Sequence, residues 1–185
     1  MDHTFVAYVE DLPGVLNRVA SLFRRRGFNI ESLTVGHTDQ PGVSRMTIVV
    51  DTDEFGARRA EANLYKLVNV LRVEDVTNQA SVVRDLALIK VAADGNNRTH
   101  VMQLADVFRA RVVDVANESL ILEITGTVDK IDSLVDVLRP FGIIEMVRTG
   151  IVAMRRGSGA ADNRPPRVAA QVPAEAADAA VSYSV

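Results

Sequence analysis

Apolar residues recur with two different spacings along the first 77 positions. Four short stretches rich in β-branched and aromatic residues predict strands at residues 4–10, 28–36, 44–51 and 70–77. Two longer stretches carry apolar residues three to four positions apart and predict helices at residues 14–26 and 55 to about 68. The predicted order is β-α-β-β-α-β, the split βαβ arrangement of the ferredoxin-like fold.

The same order recurs in the second half of the chain. Strands are predicted at residues 85–93, 112–116, 120–126 and 143–154, and helices at residues 99–110 and 131–138. Thr127 or Asp129 would cap the second of these helices. Two such units of roughly 75 residues, offset by about 80, indicate an internal duplication of the pattern. The expected fold class is α+β, with one ferredoxin-like unit at residues 3–78 and another at residues 84–156.

The composition changes after Arg156. Gly157, Ser158 and Gly159 form a linker-like stretch, and the residues beyond it are rich in alanine and proline with few large apolar side chains. Such a segment cannot offset its conformational entropy by burying apolar surface. Residues 157–185 are therefore predicted to be a disordered tail.

Composition and charge narrow the classes of function. The net charge of −3 gives no reason to expect nucleic acid or an anionic membrane as a partner. The chain has no cysteine, which excludes disulfides, thiolate nucleophiles and iron–sulfur clusters. No apolar run approaches the ~18 residues that span a bilayer, and the first residues lack the basic-then-apolar pattern of an export signal. A cytoplasmic location is expected.

The sequence contains no recognisable catalytic or metal-binding set. The histidines His3, His37 and His100 lack the spacing of metal ligands, and surface positions are predicted for all three. No glycine-rich phosphate loop follows a predicted strand. An acidic group at residues 51–54 precedes the second predicted helix, where it complements the helix dipole. We therefore expect no catalytic residue, metal or cofactor in this chain.

The start of the first predicted helix is the most informative position. Pro13 and Gly14 end the preceding strand, and Gly14 lacks the Cβ that would keep a ligand away from the backbone. The first N–H groups of a helix have no partner within it and lie at the positive end of the dipole, so they attract a carboxylate. At the other end, the basic residues 24–26 and Gly27 are typical of a helix terminus in solvent.

These features predict a pocket for an α-amino acid. Backbone N–H groups of residues 14–16 would hold its carboxylate, Asp11 would accept from its ammonium group, and Asn29 would contact its polar end. Leu16 and Ile30 would offer an apolar wall to an aliphatic side chain. The candidate effector-binding residues are Asp11, Gly14, Val15, Leu16, Asn29 and Ile30. The residues alone leave open an ordinary structural alternative, a turn, a helix cap and a loop asparagine.

Four sequence blocks resemble one family. They are residues 11–19 (DLPGVLNRV), 26–35 (RGFNIESLTV), 44–48 (SRMTI) and 66–73 (KLVNVLRV). The first half of the chain resembles an ACT domain, and residues 3–155 together resemble the small regulatory subunit of acetolactate synthase (acetohydroxyacid synthase). One departure is Asp11, where that family often carries asparagine, so a neutral contact to the effector would here be charged.

The resemblance implies a non-catalytic partner of a large catalytic subunit. In that family the large subunit carries thiamine diphosphate, Mg²⁺ and FAD, and condenses two pyruvates to 2-acetolactate or pyruvate with 2-oxobutyrate. The small subunit raises this activity and confers feedback inhibition by valine or another branched-chain amino acid. Two ACT domains would form a homodimer, with Asp11 and residues 14–16 of one chain facing Asn29 and Ile30 of the other. The unit at residues 84–156 would be ACT-like and would contact the catalytic subunit.

Three other functions are compatible with some features of the sequence. A stand-alone amino-acid sensor acting on a transporter or on the transcription apparatus would use the same pocket. An enzyme in its own right would make acetolactate without a partner. An RNA-binding ferredoxin-like module would need a pair of aromatic residues on the central strands to stack bases, and the negative net charge also disfavours it.

Overall fold

The computed structural model describes residues 1–157, which form two antiparallel sheets. The predicted tail therefore lies outside the described residues, except for Gly157. The N-terminal unit consists of β1 (Asp2–Glu10), α1 (Val15–Arg25), β2 (Ile30–His37), β3 (Val43–Asp51), α2 (Glu54–Leu64) and β4 (Val70–Asp75). Its strands lie in the order β2-β3-β1-β4, so β2 and β4 are the edges of the sheet.

The C-terminal unit repeats this order with one extra strand. Its elements are β5 (Ser81–Ala92), α3 (Arg98–Phe108), β6 (Arg111–Val115), β7 (Ser119–Gly126), α4 (Val128–Leu138), β8 (Ile143–Arg148) and β9 (Val152–Arg155). The second sheet has the order β6-β7-β5-β8, and β9 pairs with the first residues of β5. The predicted α+β class with two ferredoxin-like units is confirmed.

Several predicted boundaries are wrong: β5 begins at Ser81 rather than residue 85, and α4 begins at Val128 rather than residue 131. Two further differences have a clear structural cause. The helix α2 ends at Leu64 rather than near residue 68, and the hydroxyl of Tyr65 bonds to the backbone of Val73 in β4. The predicted closing strand is broken into β8 and β9 at residues 149–151, where Gly150 has φ +81°. A residue in this left-handed region cannot continue a strand. The chain therefore changes pairing there, from the second half of β5 to its beginning.

Each sheet packs its two helices on one face. The largest fully buried side chains of the N-terminal unit are Phe5, Phe23, Met46, Ile48 and Leu64. Those of the C-terminal unit are Ile89, Leu120, Leu122, Ile124, Ile131, Leu134 and Leu138. Burying such side chains stabilises the fold by about 1.5–3 kcal/mol each. Each unit thus has its own hydrophobic core.

The outer face of the first sheet is also covered, although the alternation of residues in the third predicted strand does not indicate it. Thr47 and Val49 of β3 face away from the helices, yet they are only 1% and 5% exposed. On the same face, Val6 of β1 and Val76 pack against Ala153 of β9. The C-terminal unit therefore packs directly on the N-terminal sheet.

Candidate functional site

The helix α1 begins after Gly14, and its first turn is open. Gly14 has φ +84°, and nothing in the described residues lies within 4 Å of where its Cβ would stand. The N–H of Val15 donates to the carbonyl oxygen of Leu12 at 3.3 Å. Within residues 1–157, the N–H groups of Gly14, Leu16 and Asn17 have no acceptor. Three donors are therefore available at the positive end of the helix dipole.

The side chains around this turn divide between core and surface. Val15 is 4% exposed and belongs to the hydrophobic core, so only its backbone can contact a ligand. Leu12 and Leu16 are 56% and 44% exposed and offer apolar surface beside the free N–H groups. At the far end of the helix, Gly27 has φ +74°, as expected for a residue that ends a helix.

Asp11 lies where the ends of three strands meet. Ser44 Oγ donates to its Oδ1 at 3.1 Å, and His37 Nδ1 lies 3.1 Å from its Oδ2. The strand register explains this meeting, because Glu10 pairs with Val43 and His37 pairs with Ser44. Sequence reasoning missed His37 and Ser44 as neighbours of Asp11. The register of the predicted hairpin between residues 28–36 and 44–51 is the signal that could have found them.

Asn29 and Ile30 lie at the opposite end of the sheet. Ile30 is paired with Val50, whereas His37 at the other end of β2 reaches the neighbourhood of Asp11. The strand between these ends would span about 25 Å at ~3.3 Å per residue. The side-chain amide of Asn29 is exposed and donates to the Glu31 carboxylate, and Ile30 packs against the core. A single chain therefore does not bring Asn29 and Ile30 beside Gly14.

The predicted surface position of His3 is wrong. His3 is 3% exposed, stacks on Phe5, and its Nδ1 lies 3.1 Å from Asp75 Oδ2. Burial alone would raise the pKa of Asp75, but hydrogen bonds from Thr77 and His3 outweigh it and hold the pKa below its ordinary value. Burial, assisted by the charge of Asp75, raises the pKa of Glu61. These groups lie away from the start of α1 and serve the fold.

The other two histidines are exposed, as predicted. His37 retains most of its side-chain exposure while it contacts Asp11, and His100 is exposed on α3. Within residues 1–157, no group of three or more histidine, aspartate or glutamate side chains could hold a metal ion. In the same residues, every helix is too short or too polar to cross a bilayer.

A recess of about 160 Å³ lies near the turn between β2 and β3. It is lined by Tyr8, Thr38, Asp39, Gln40 and Arg72. Arg72 lies over the Tyr8 ring, 5.7 Å from its centroid, and forms an ion pair with Glu74. The charge of Arg72 is thus already compensated by the protein, and we assign no ligand to this recess.

Comparison with known proteins covers both units. A family model described as "AHAS small subunit-like ACT domain" matches residues 5–72, and another described as "Small subunit of acetolactate synthase" matches residues 84–157. A probable acetolactate synthase small subunit from Archaeoglobus fulgidus is 49% identical over 158 residues, which cover 85% of this chain and 99% of that protein. The chain belongs to the acetolactate synthase small-subunit family. The family resemblance of the four sequence blocks is thereby confirmed.

Other members of the small-subunit family agree in sequence and in structure. The acetolactate synthase small subunit of Mycolicibacterium smegmatis is 49% identical over 155 residues, covering 84% of this chain and 91% of that protein. The crystal structure of the acetolactate synthase small subunit from Thermotoga maritima has a TM-score of 0.79 at 41% identity. That alignment covers 85% of this chain and 98% of the crystallised chain, so the similarity extends through both units.

Proposed function

We propose that the chain is the regulatory small subunit of an acetolactate synthase. It binds the large catalytic subunit, raises its rate of converting two pyruvates to 2-acetolactate and CO₂, and makes it sensitive to valine. Thiamine diphosphate, Mg²⁺ and FAD belong to the catalytic subunit, and no cofactor is assigned to this chain. Membership in the small-subunit family supports the first part of this proposal.

The open first turn of α1 is the observation that supports the binding of valine to this chain. The carboxylate of valine would accept from the free N–H groups of Gly14 and Leu16. Its ammonium group would lie by Asp11, whose two oxygens each have a partner in Ser44 or His37 and retain further lone pairs. The exposed side chain of Leu16 would contact the aliphatic end of the ligand.

A homodimer would complete this site. Because β2 is an edge strand, a two-fold axis perpendicular to the sheet could place it antiparallel to β2 of a second copy. The Ile30 end of one strand then lies beside the His37 end of the other. Asn29 and Ile30 of one chain would reach the Gly14 end of its partner, which they cannot reach within their own chain.

A pair of variants at Gly14 tests the effector site. Gly14→Asp adds a negative charge where the carboxylate binds, whereas Gly14→Asn adds the same shape without the charge, and asparagine tolerates φ > 0. We expect Gly14→Asp to weaken valine binding by roughly tenfold or more, equivalent to about 1.4 kcal/mol, and Gly14→Asn to weaken it less.

Valine binding is measured by calorimetry on the purified chain, and inhibition is measured on the reconstituted holoenzyme. Isoleucine and leucine titrations under the same conditions establish effector choice. Equal valine inhibition of wild type and Gly14→Asp would place the effector elsewhere.

A stand-alone amino-acid sensor is the second candidate, since the same open turn would serve it. Co-purification of the chain with a large thiamine-dependent protein from its native cells supports the subunit role. Recovery of a transporter or transcription component in place of that protein supports the sensor. Acetolactate production by the chain alone would contradict both.

A further inference from the structure

The corner between β8 and β9, residues 149–151, lies against the outer face of β2. Thr34 Oγ1 donates to the carbonyl oxygen of Thr149 at 3.3 Å, and the N–H of Ile151 donates to Ser32 Oγ at 3.2 Å. Both hydroxyls project from the strand that begins at Ile30, beside the candidate effector residue Asn29. The C-terminal unit thus touches the N-terminal unit on the strand that carries part of the candidate site.

The fit of this corner depends on the absence of a side chain at Gly150. A Cβ there would stand 2.6 Å from Ser32 Oγ and 3.1 Å from Thr34 Oγ1, and the φ of +81° is also unfavourable for other residues. Beside the corner, an Arg45 guanidinium nitrogen donates to the carbonyl oxygen of Ala153. The backbone of residues 149–153 is therefore held to both β2 and β3 by hydrogen bonds.

The same corner is tied to a buried ion pair inside the C-terminal unit. Thr149 Oγ1 lies 3.2 Å from Asp85 Oδ1 and accepts from the N–H of Leu86 at 3.2 Å. Asp85 is 3% exposed, and Arg148 Nε donates to its other carboxylate oxygen at 2.7 Å. Arg148 Nη1 in turn donates to Asp132 of α4 at 2.7 Å.

These contacts form one continuous chain of polar groups from β2 to α4. Its members, in spatial order, are Thr34, Thr149, Asp85, Arg148 and Asp132. A buried carboxylate that loses its partner is strongly destabilised. If β2 displaces the corner, Asp85 and Arg148 therefore move with it. A displacement at the candidate site would in this way alter the packing of α4 on the second sheet.

We propose that the β8–β9 corner transmits effector occupancy from β2 to the C-terminal unit. This inference rests on the proposed function, because it needs an effector on the N-terminal unit and a catalytic subunit in contact with the C-terminal unit. An effector can inhibit only if it binds the two functional states with different affinities. The corner couples the two units, so that a change of state in the N-terminal unit is accompanied by a change in the C-terminal unit.

Two substitutions interrupt this connection without touching the candidate effector residues. Gly150→Ala forces the corner away from Ser32 and Thr34, and Thr34→Val removes the hydroxyl while keeping the shape of the side chain. Gly157→Ala is the matched control, since Gly157 has a similar φ of +70° but no atom of residues 1–157 lies within 4 Å of its Cβ position. It introduces the same backbone strain without affecting the contact.

The measurements are valine calorimetry on the full chain alone and valine inhibition of the reconstituted holoenzyme. Gly150→Ala and Thr34→Val should bind valine as the wild type does and should still activate the catalytic subunit. The valine concentration for half-inhibition should rise by about 5-fold or more, the lower end of usual allosteric coupling. Gly157→Ala should match the wild type in all three properties.

Unchanged inhibition in both variants would overturn the proposal. Loss of valine binding together with inhibition would also overturn it, because the corner would then support the site rather than transmit its state. If Gly150→Ala does not fold, Thr34→Val and Thr149→Val decide the question alone. Failure of the proposed function is recognised separately, since the wild-type chain itself would then give no heat with valine or would not activate the catalytic subunit.

Discussion

His3, Asp75 and Thr77 form a hydrogen-bonded group where β1 begins and β4 ends. Asp75 accepts from the N–H of Thr77 at 2.9 Å and lies 3.1 Å from His3 Nδ1, and the N–H of Thr4 donates to Thr77 Oγ1. These bonds favour the ionised carboxylate and outweigh its burial, so the pKa of Asp75 is lowered on folding. Because the folded state binds this proton less tightly than the unfolded state, the group stabilises the fold above the ordinary aspartate pKa.

Asp75→Asn should therefore destabilise the chain in a pH-dependent way. At pH 7 we expect a loss of about 1–2 kcal/mol in the free energy of unfolding, from weaker hydrogen bonds to a neutral amide. The difference from wild type should begin to shrink as the pH falls below about 4, where the unfolded chain takes up the proton, and should disappear only below the lowered pKa of the folded Asp75 carboxylate. Urea denaturation of both proteins at pH values from 7 to 3 measures this difference in the free energy of unfolding.

Asp114→Asn serves as the control for this substitution. Asp114 is exposed on β6, and its side chain makes no hydrogen bond within the part of the chain that the structure describes. Its replacement should change stability by less than about 0.5 kcal/mol at any of these pH values. A loss for Asp75→Asn that is equally large at pH 3 and pH 7 would contradict the assigned cause.

At the scale of elements, α2 and α4 begin in different ways although both have a polar N-cap residue. Asp53 Oδ1 accepts from the N–H of Gly56 at 2.6 Å, which satisfies one free donor of α2. Thr127, one of the two predicted cap residues, stands at the N-cap of α4, but its hydroxyl makes no capping hydrogen bond. For α2 the sequence predicted only an acidic group at residues 51–54, and the structure shows that Asp53 is the cap.

Asp53→Ala and Thr127→Ala therefore form a matched pair. The first should lower the free energy of unfolding by about 1 kcal/mol, because it leaves the Gly56 N–H without its acceptor. The second should cost less than about 0.5 kcal/mol. Chemical denaturation of both variants at pH 7 measures the difference, and equal losses would show that helix propensity or charge, rather than the capping bond, is responsible.

At the scale of the whole molecule, the candidate effector residues are separated into two groups. Asp11, Gly14 and Leu16 lie at one end of the N-terminal sheet, and Asn29 and Ile30 lie at the other. The proposed homodimer would bring the first group of one chain against the second group of its partner. Two equivalent sites would then form per dimer, each with residues from both chains.

Mixed dimers test this arrangement. A dimer of one Gly14→Asp chain and one Asn29→Ala chain would contain one doubly altered site and one wild-type site. We expect each homodimeric variant to lose valine binding, and the mixed dimer to recover about half of the wild-type stoichiometry, as two equivalent sites require. Dimers carrying two different affinity tags are isolated, and calorimetry counts their sites.

A second mixed dimer provides the control. It pairs a wild-type chain with a chain carrying both substitutions, so each of its sites contains one altered residue. It has the same composition as the first mixed dimer but should not recover binding. Recovery in the second mixed dimer and not in the first would indicate that all the residues of a site belong to one chain.

The sequence by itself determined the order of the elements, the duplication of the ferredoxin-like unit and the open turn at Gly14. These follow from local periodicity, β-propensity and the freedom of glycine, which act over a few neighbouring residues. The residues that lie opposite one another in the hairpin of β2 and β3 could also be predicted from the sequence.

Only the tertiary structure decided how distant parts of the chain meet. His3 is buried because β4 brings Asp75 beside it across 72 positions, and Val6 on the outer face of the first sheet is buried because Ala153 of β9 packs there. The corner at Gly150 is held against β2 because the N–H of Ile151 donates to Ser32 Oγ across 119 positions. Such contacts arise from the packing of one unit on another, which no local pattern of hydrophobic and polar residues records.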